Sequence, residues 1–317
     1  MIKQFLIAMM LCFLSAKGQV NKDYGAIMAS YPKTLSARSL AAKILKDFST
    51  DRERSEAAFY WVANNIKYNL NVYHDLSPKI SFRYSDEEDK KRKILAIKDS
   101  IINHTLQTKT AVCEGYSQTL SAIYTNLGFE NIVINGFVRN SIIDIGNIKK
   151  EVNHAWNMVK IDDEWKIVDA TWAAGSVING RWQQNYNAYY YDIPKKHYLK
   201  THFPKNRKWK FGNKLSKEEF YDQPIYSTEF LQTNLELITP LKGVITKKES
   251  KELTLKIKNL GTVHKILYVT STSRYAQKPE VNFNEGIGYV KIKSLRESNR
   301  LFIVINGEIH MQFKLLI

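Results

Sequence analysis

Cysteine is almost missing from this chain, two in 317 residues, which excludes a disulfide-stapled scaffold and a four-thiolate zinc site. No Asp-x-Asp-x-Asp-Gly spacing occurs, so an EF-hand calcium loop is not expected. Beyond the N-terminus no segment approaches the ~18 uninterrupted apolar residues of a membrane-spanning helix. Internal repeats, low-complexity linkers and recognisable nucleic-acid motifs are also lacking. Acidic residues are scarce beside basic ones, 31 Asp+Glu against 47 Lys+Arg, for a net charge of +16. That imbalance points to an acidic partner or surface and says nothing of chemistry. What is present is the composition of a folded protein: 44% hydrophobic, 12% aromatic and 25% charged. The length suffices for one large domain or two average ones.

Residues 1–18 read as a secretory signal peptide. Lys3 supplies the positive start, 5–16 an apolar stretch too short to span a bilayer, and Ala16 and Gly18 the small residues before a cut ahead of Gln19. Leu11 before Cys12 argues against a lipoprotein site. Export is expected, to the periplasm or the outside. Removing the leader takes Cys12, Lys3 and Lys17, which leaves Cys113 as the one thiol and a net charge of +14. A lone exported thiol is either a buried apolar residue or a reactive group.

Between about residues 40 and 67, Ala57, Phe59, Tyr60, Val62, Ala63 and Ile66 recur at spacings of three and four, the mark of a helix with one buried face. The charged run from Asp86 to Lys93 reads as an exposed loop or helix start. Residues 110–127 form the clearest helix, with Val112, Tyr116, Leu120, Ile123, Tyr124 and Leu127 in one sector and Gly128 as the stop. Strands are expected at 132–138, 153–161 and 165–172. The Tyr- and Lys-rich stretch 186–211 is expected to wrap over this first part. Further strands are expected at 230–238, 253–257, 266–271, 281–283, 288–292, 301–305 and 308–316, with Asn306-Gly307 as a type I′ hairpin turn. The expected fold class is α+β: a leader 1–18, a first domain 19–225, and an all-β, immunoglobulin-like sandwich 226–317.

Cys113 stands at the start of the 110–127 helix. Unpaired backbone N–H groups and the positive helix end favour a thiolate there, and the same groups suit the oxyanion of a tetrahedral intermediate. Cys113 also falls in the apolar sector, so a plain core cysteine is the competing reading. His154 and Asp169 change the balance. If Asp162-Asp163 make a two-residue loop, Ile161 pairs with Glu164. His154, Trp156, Asp169 and Thr171 then share one face, with His154 and Asp169 diagonal neighbours at roughly 7 Å. A three-residue loop would put them on opposite faces. An imidazole oriented by a carboxylate beside a helix-start thiol is what thiol catalysis requires. Taken singly, His154 and Asp169 would each read as structural; the joint pattern is more specific.

These residues resemble a known family. Ala111-Val112-Cys113-Glu114-Gly115-Tyr116-Ser117, Asn153-His154-Ala155-Trp156-Asn157 and Trp165-Lys166-Ile167-Val168-Asp169-Ala170-Thr171-Trp172 look like the transglutaminase-like superfamily core. The order Cys, His, Asp matches, at separations of 41 and 15 residues. The stretch Tyr60-Trp61-Val62-Ala63-Asn64-Asn65-Ile66-Lys67-Tyr68 is similar to the helix that precedes that core. Tyr189-Tyr190-Tyr191-Asp192-Ile193-Pro194, His202-Phe203-Pro204 and Trp209 resemble the kyphoscoliosis peptidase-like branch. Two departures stand out: Ala111 where a glycine is frequent, and Lys210 where a glutamine is common. The resemblance spans about residues 56–240. It implies a papain/transglutaminase-like core with Cys113 as nucleophile, His154 as general base and acid, and Asp169 as orienter.

For the second oxyanion donor, Trp61 is a candidate, against its reading as a core aromatic. Trp156 and Trp172 either line the cleft or simply pack. His202 and His197 could be taken for a metal pair, but no further ligands surround them and a structural role is preferred, so no metal or cofactor is expected. The leading function is an exported cysteine enzyme attacking an amide of a protein or peptide through a thioester, hydrolysis being favoured over transfer to an amine. The alternative is a non-catalytic binding protein on the same fold. Nucleic-acid binding, prompted by the interleaved Lys and Tyr residues of 186–209, is disfavoured by the leader and the lack of a motif. An acidic cell-envelope polymer fits the charge better.

Overall fold

The computed structural model describes residues 23–32, 36–71, 82–246, 252–293, 295 and 298–316. The expected leader, with Cys12 and its cut, lies outside them. Residues up to Pro32 form one compact unit and Lys33–Ile317 a second. The first contributes the short helix α1 (Tyr24–Met28), whose N-terminus is capped by the Asp23 carboxylate accepting the Ala26 N–H at 2.9 Å.

The second unit opens with helices. The single helix expected over 40–67 is two, α2 (Ala37–Asp47) and α3 (Asp51–Asn65). Thr50 divides them: its hydroxyl accepts the Glu53 N–H at 3.2 Å while Glu53 accepts the Thr50 N–H, a capping box that starts α3 afresh. After β1 (Lys67–Tyr68) comes α4 (Glu87–Thr108), into which the charged run 86–93 leads. Asp86 caps it by accepting the Asp89 N–H at 2.8 Å, and three acids of the first turn face its positive end. Its buried residues are only Asp89, Thr105 and Leu106, so it carries no apolar stripe for periodicity to reveal. Next, β2 (Thr110–Ala111) pairs parallel with β1, and α5 (Cys113–Asn126) buries Tyr116, Leu120, Ile123 and Tyr124 on the expected face.

The α5 helix packs across β4 (His154–Ile161) and β3 (Asn131–Val138). From β5 (Glu164–Val168) the chain turns through the short helix α6 (Ala170–Ala174) into a hairpin, β6 (Gly175–Ile178) and β7 (Arg181–Gln184). The stretch 186–211 resolves into α7 (Lys195–Thr201) and β8 (His202–Pro204), flanked by short 3-10 turns. β8 completes a four-stranded sheet in the order β5-β4-β3-β8. The helix α8 (Lys217–Asp222) closes this part.

The remaining strands form two sheets. β9 (Ile225–Tyr226), which holds the expected domain boundary, pairs with the last strand, β17 (Glu308–Leu316). The strand expected over 230–238 begins instead as the helix α9 (Thr228–Gln232), because the Ser227 hydroxyl accepts the Phe230 N–H and caps a helical turn. Strand structure starts at β10 (Glu236–Thr239) and continues through β11 (Val244–Thr246), β12 (Glu252–Lys258), β13 (Ile266–Thr270), β14 (Glu280–Asn284), β15 (Ile287–Lys293) and β16 (Arg300–Ile305). One sheet runs β10-β12-β15-β14, the other β11-β17-β16-β13. They share one core in which Leu255, Ile257, Val290 and Ile292 of the first meet Leu301, Ile303, Met311 and Phe313 of the second. Asn306 (φ 52) and Gly307 (φ 96) make the expected tight turn, both in the left-handed region that a type I′ turn needs.

Arg139 gathers the chain at the ends of α7 and α8. Its guanidinium donates to the Gln223, Lys200 and Pro224 carbonyls at 2.7, 3.0 and 3.3 Å. Burial pushes its pKa down to about 10. Nearby, Ile142, Ile145 and Ile225 form a small apolar cluster with Val244 and Phe302.

Candidate active site

Cys113 is the first residue of α5 and is partly exposed. Val112, at the cap position, offers no side-chain hydrogen bond, so the first-turn N–H groups gain no partner from it. The helix is anchored on both sides. Asn157 Nδ2 on β4 donates to the Ser117 carbonyl at 3.0 Å, and the Tyr116 hydroxyl donates to the Ile66 carbonyl.

The loop between β4 and β5 has the two residues expected of it, Asp162 (φ 50) and Asp163 (φ 61), and Ile161 pairs with Glu164. The ladder ends at Asn157–Val168. Asp169 therefore does not lie on a strand, as expected over 165–172, but caps α6. Its Oδ1 accepts the Thr171 and Trp172 N–H groups at 2.9 and 3.0 Å, because an Asp before Ala-Thr-Trp-Ala-Ala offers the backbone a helical turn in place of the ladder. The turn directs Oδ2 to His154 Nε2, 2.7 Å away. The anticipated contact exists, by a different route.

Sequence reasoning left His202 out of this constellation. Its Nε2 lies 3.0 Å from the same Oδ2, and its Nδ1 lies 2.8 Å from the Thr201 hydroxyl. Gly136 makes this possible. On β3 it pairs with His154 on one side and Pro204 on the other, so His154 and His202 belong to strands about 9.5 Å apart, on the same face. The Trp156 ring fills the space over Gly136 and packs on both imidazoles, whose centroids lie 5.9 Å apart. A Cβ on Gly136 would meet the Phe203 carbonyl oxygen at 2.4 Å and the Trp156 ring at 2.5 Å. The signal was present in His202-Phe203-Pro204, but reading it required the sheet order.

Both oxygens of Asp169 are thus filled, in a fully buried position. Burial alone would raise its pKa; the charge and hydrogen bond of His154, with the bond from His202, reverse this and hold the carboxyl well below its usual range. Burial alone would likewise lower His154. The Asp169 charge and hydrogen bond outweigh it, joined by the Cys113 sulfur, and raise its pKa to about 10. Since Nε2 is committed to Asp169, Nδ1 is the nitrogen left for Cys113. His202 goes the other way: burial pushes it down, and Asp169 only partly compensates.

Aromatic rings wall in the two imidazoles. Trp156 stacks on His154 with ring centroids 6.0 Å apart, and Trp172 lies 5.8 Å from His154 and 4.7 Å from His202. His197 does not join them; it meets the Tyr189 hydroxyl at 2.9 Å. Trp61 is buried in α3 beneath the Lys109 ammonium, 4.6 Å from its ring. The polar atoms of His154, Asp169 and His202 fall within 4.8 Å of one another. Both imidazoles point Nε2 at an oxygen that accepts two N–H bonds, so hydrogen bonding accounts for the cluster.

Residues 38–170 match the sequence model of the transglutaminase-like superfamily. The chain also resembles the kyphoscoliosis peptidase-like branch of that superfamily. The kyphoscoliosis peptidases of Homo sapiens and Mus musculus are each 25% identical to it, over 215 and 202 residues, or 62% and 59% of this chain. Those stretches amount to 30% and 28% of the relatives' own length, so the chain spans under a third of either. A crystal structure of a TGase is similar over 57% of this chain and 39% of its own, at 18% identity and a TM-score of 0.30.

Proposed function

We propose that this chain is a cysteine-dependent enzyme that opens amide bonds of a protein or peptide through a thioester on Cys113. The observation that carries the reading is the meeting of three groups: a partly exposed thiol at a helix start, an imidazole beside it, and a buried carboxylate on that imidazole's far nitrogen. His154 takes the Cys113 proton, and the thiolate attacks the carbonyl carbon. Backbone N–H groups of the first turn of α5 stabilise the oxyanion. His154 then protonates the departing amine, leaving the thioester. Water attacks next, giving its proton to His154, and the acid leaves as Cys113 regains its hydrogen. An amine in place of water would give transfer instead of hydrolysis. Hydrolysis is the preferred outcome, because water is abundant and no amine-binding feature is visible.

Three further parts belong to this proposal. The leader 1–18 sends the protein out of the cytoplasm, to the periplasm or beyond. Residues 19–225 form the catalytic domain and 226–317 an immunoglobulin-like domain; supporting this, the strand order of the two sheets follows the A-B-E-D and A′-G-F-C arrangement of such sandwiches. The partner surface is basic: residues 193–217 hold nine Lys and Arg and no acid, which suits an acidic cell-envelope polymer.

The test is mass spectrometry of a peptide library incubated with wild type and Cys113→Ala. Cysteine-dependent cleavage supports the hydrolase, and cysteine-dependent ligation would make it an acyltransferase. Identical spectra from both proteins would leave a binding protein on a catalytic fold.

A further inference from the structure

His202 completes a hydrogen-bonded chain that ends at the proposed base. Asp169 is ionised and can only accept, so each imidazole facing Oδ2 must present an N–H there. His202 therefore carries its hydrogen on Nε2. Its Nδ1 then accepts from the Thr201 hydroxyl at 2.8 Å. The chain runs Thr201 O–H to His202 Nδ1, His202 Nε2–H to Asp169 Oδ2, and His154 Nε2–H to the same oxygen. Tyr198 stacks on His202 at 6.0 Å, and Trp156 and Trp172 pack on its other sides. The ring is fully buried.

We propose that His202 is a positioning residue that holds Asp169 in one orientation and, by sharing Oδ2, limits how strongly Asp169 raises the basicity of His154. A carboxylate oxygen serving two donors attracts each less than it would attract one. The consequence bears on turnover: an imidazolium bound too tightly is a poor acid toward the leaving amine and reverts slowly to the base that activates water. Other titratable groups at the site leave this assignment intact. Cys113 and Tyr116 on α5 face His154 and Asp169, Tyr190 faces Asp169, and Glu114 is engaged by Gln118. Burial keeps both tyrosines neutral across the working range. β3 has no titratable side chain, and Glu164 and Lys166 of β5 pair with each other.

The role rests on the thiol-enzyme reading of the site, and its test separates the two. Nitrogen-15 NMR of histidine-labelled full-length protein reads each imidazole directly. In wild type, His202 should stay in the neutral Nε2–H tautomer from pH 5 to 9, while His154 titrates above it. In His202→Phe the His154 midpoint should rise by about half a pH unit or more, and in His202→Gln, which keeps an N–H donor, it should stay near wild type. A folded His202→Phe protein with an unmoved His154 midpoint overturns the proposal, as does a wild-type His202 holding its proton on Nδ1. Should His202→Phe not fold, Thr201→Val removes only the hydroxyl donor and should move the His154 midpoint the same way by less; no movement overturns the proposal. Iodoacetamide labelling of Cys113 is run on wild type and His154→Ala in parallel. Sluggish labelling that ignores His154 would overturn the enzyme reading, whichever way the His154 midpoint falls.

Discussion

Asp169 and His154 meet at 2.7 Å because the chain leaves the β4–β5 ladder at Val168, one residue before Asp169, and spends the other Asp169 oxygen on capping α6. One carboxylate thereby fixes a helix start and an imidazole together. Asp169→Asn should weaken both. The folded His154 pKa lies above the usual 6.5, so its share of the stabilisation is whole below that value and fades as pH rises toward about 10. The folded Asp169 pKa lies below the usual 3.8, so its share is whole above that value and fades as pH falls through the depressed one. Urea unfolding at pH 5.5 should show the full loss, about 3 kcal/mol, narrowing toward pH 10. A difference that does not narrow would mean that the pairing of charges contributes little.

Labelling of Cys113 by iodoacetamide reports on its imidazole partner. At pH 7, His154→Ala should slow the reaction about 10- to 100-fold. Equal rates would separate the thiol from the imidazole.

Gly136 leaves room for the Trp156 ring that packs on both imidazoles. Gly136→Ala places a methyl group against the Phe203 carbonyl and the Trp156 ring, at an expected cost of about 1–3 kcal/mol. β8 should be pushed away from β3, taking His202 with it. Calorimetry gives the stability, and the His154 midpoint should move upward as in His202→Phe. An unchanged melting temperature would count against so tight a crossing.

Arg139 supplies donors to three backbone carbonyls at the ends of α7 and α8. Arg139→Ala leaves those oxygens without it in a buried place, an expected loss of about 3 kcal/mol or more. Thermal unfolding of the variant should shift to lower temperature. A melting curve superimposable on wild type would show that these bonds contribute little.

By itself the sequence determined what depends on neighbours along the chain. The α5 helix follows from apolar residues recurring every three or four positions. The Asn306-Gly307 turn follows from residues that tolerate left-handed backbone, whereas the Asp162-Asp163 loop had two lengths open to it and takes the shorter. Cys113 at a helix start and His154 on a strand follow from such local signals, whereas Asp169, expected on a strand, caps a helix instead. Local signals were least help where packing or capping took over: α4 buries too little to show a stripe, and Thr50 and Ser227 start helices where continuous periodicity or strand character was expected. Only the tertiary structure decided that His202 joins the site. Its place depends on β8 lying next to β3, on a glycine opposite, and on one carboxylate oxygen shared across 33 residues of chain. No local pattern encodes that arrangement, because sheet order is set by which buried faces pack together once the chain has folded.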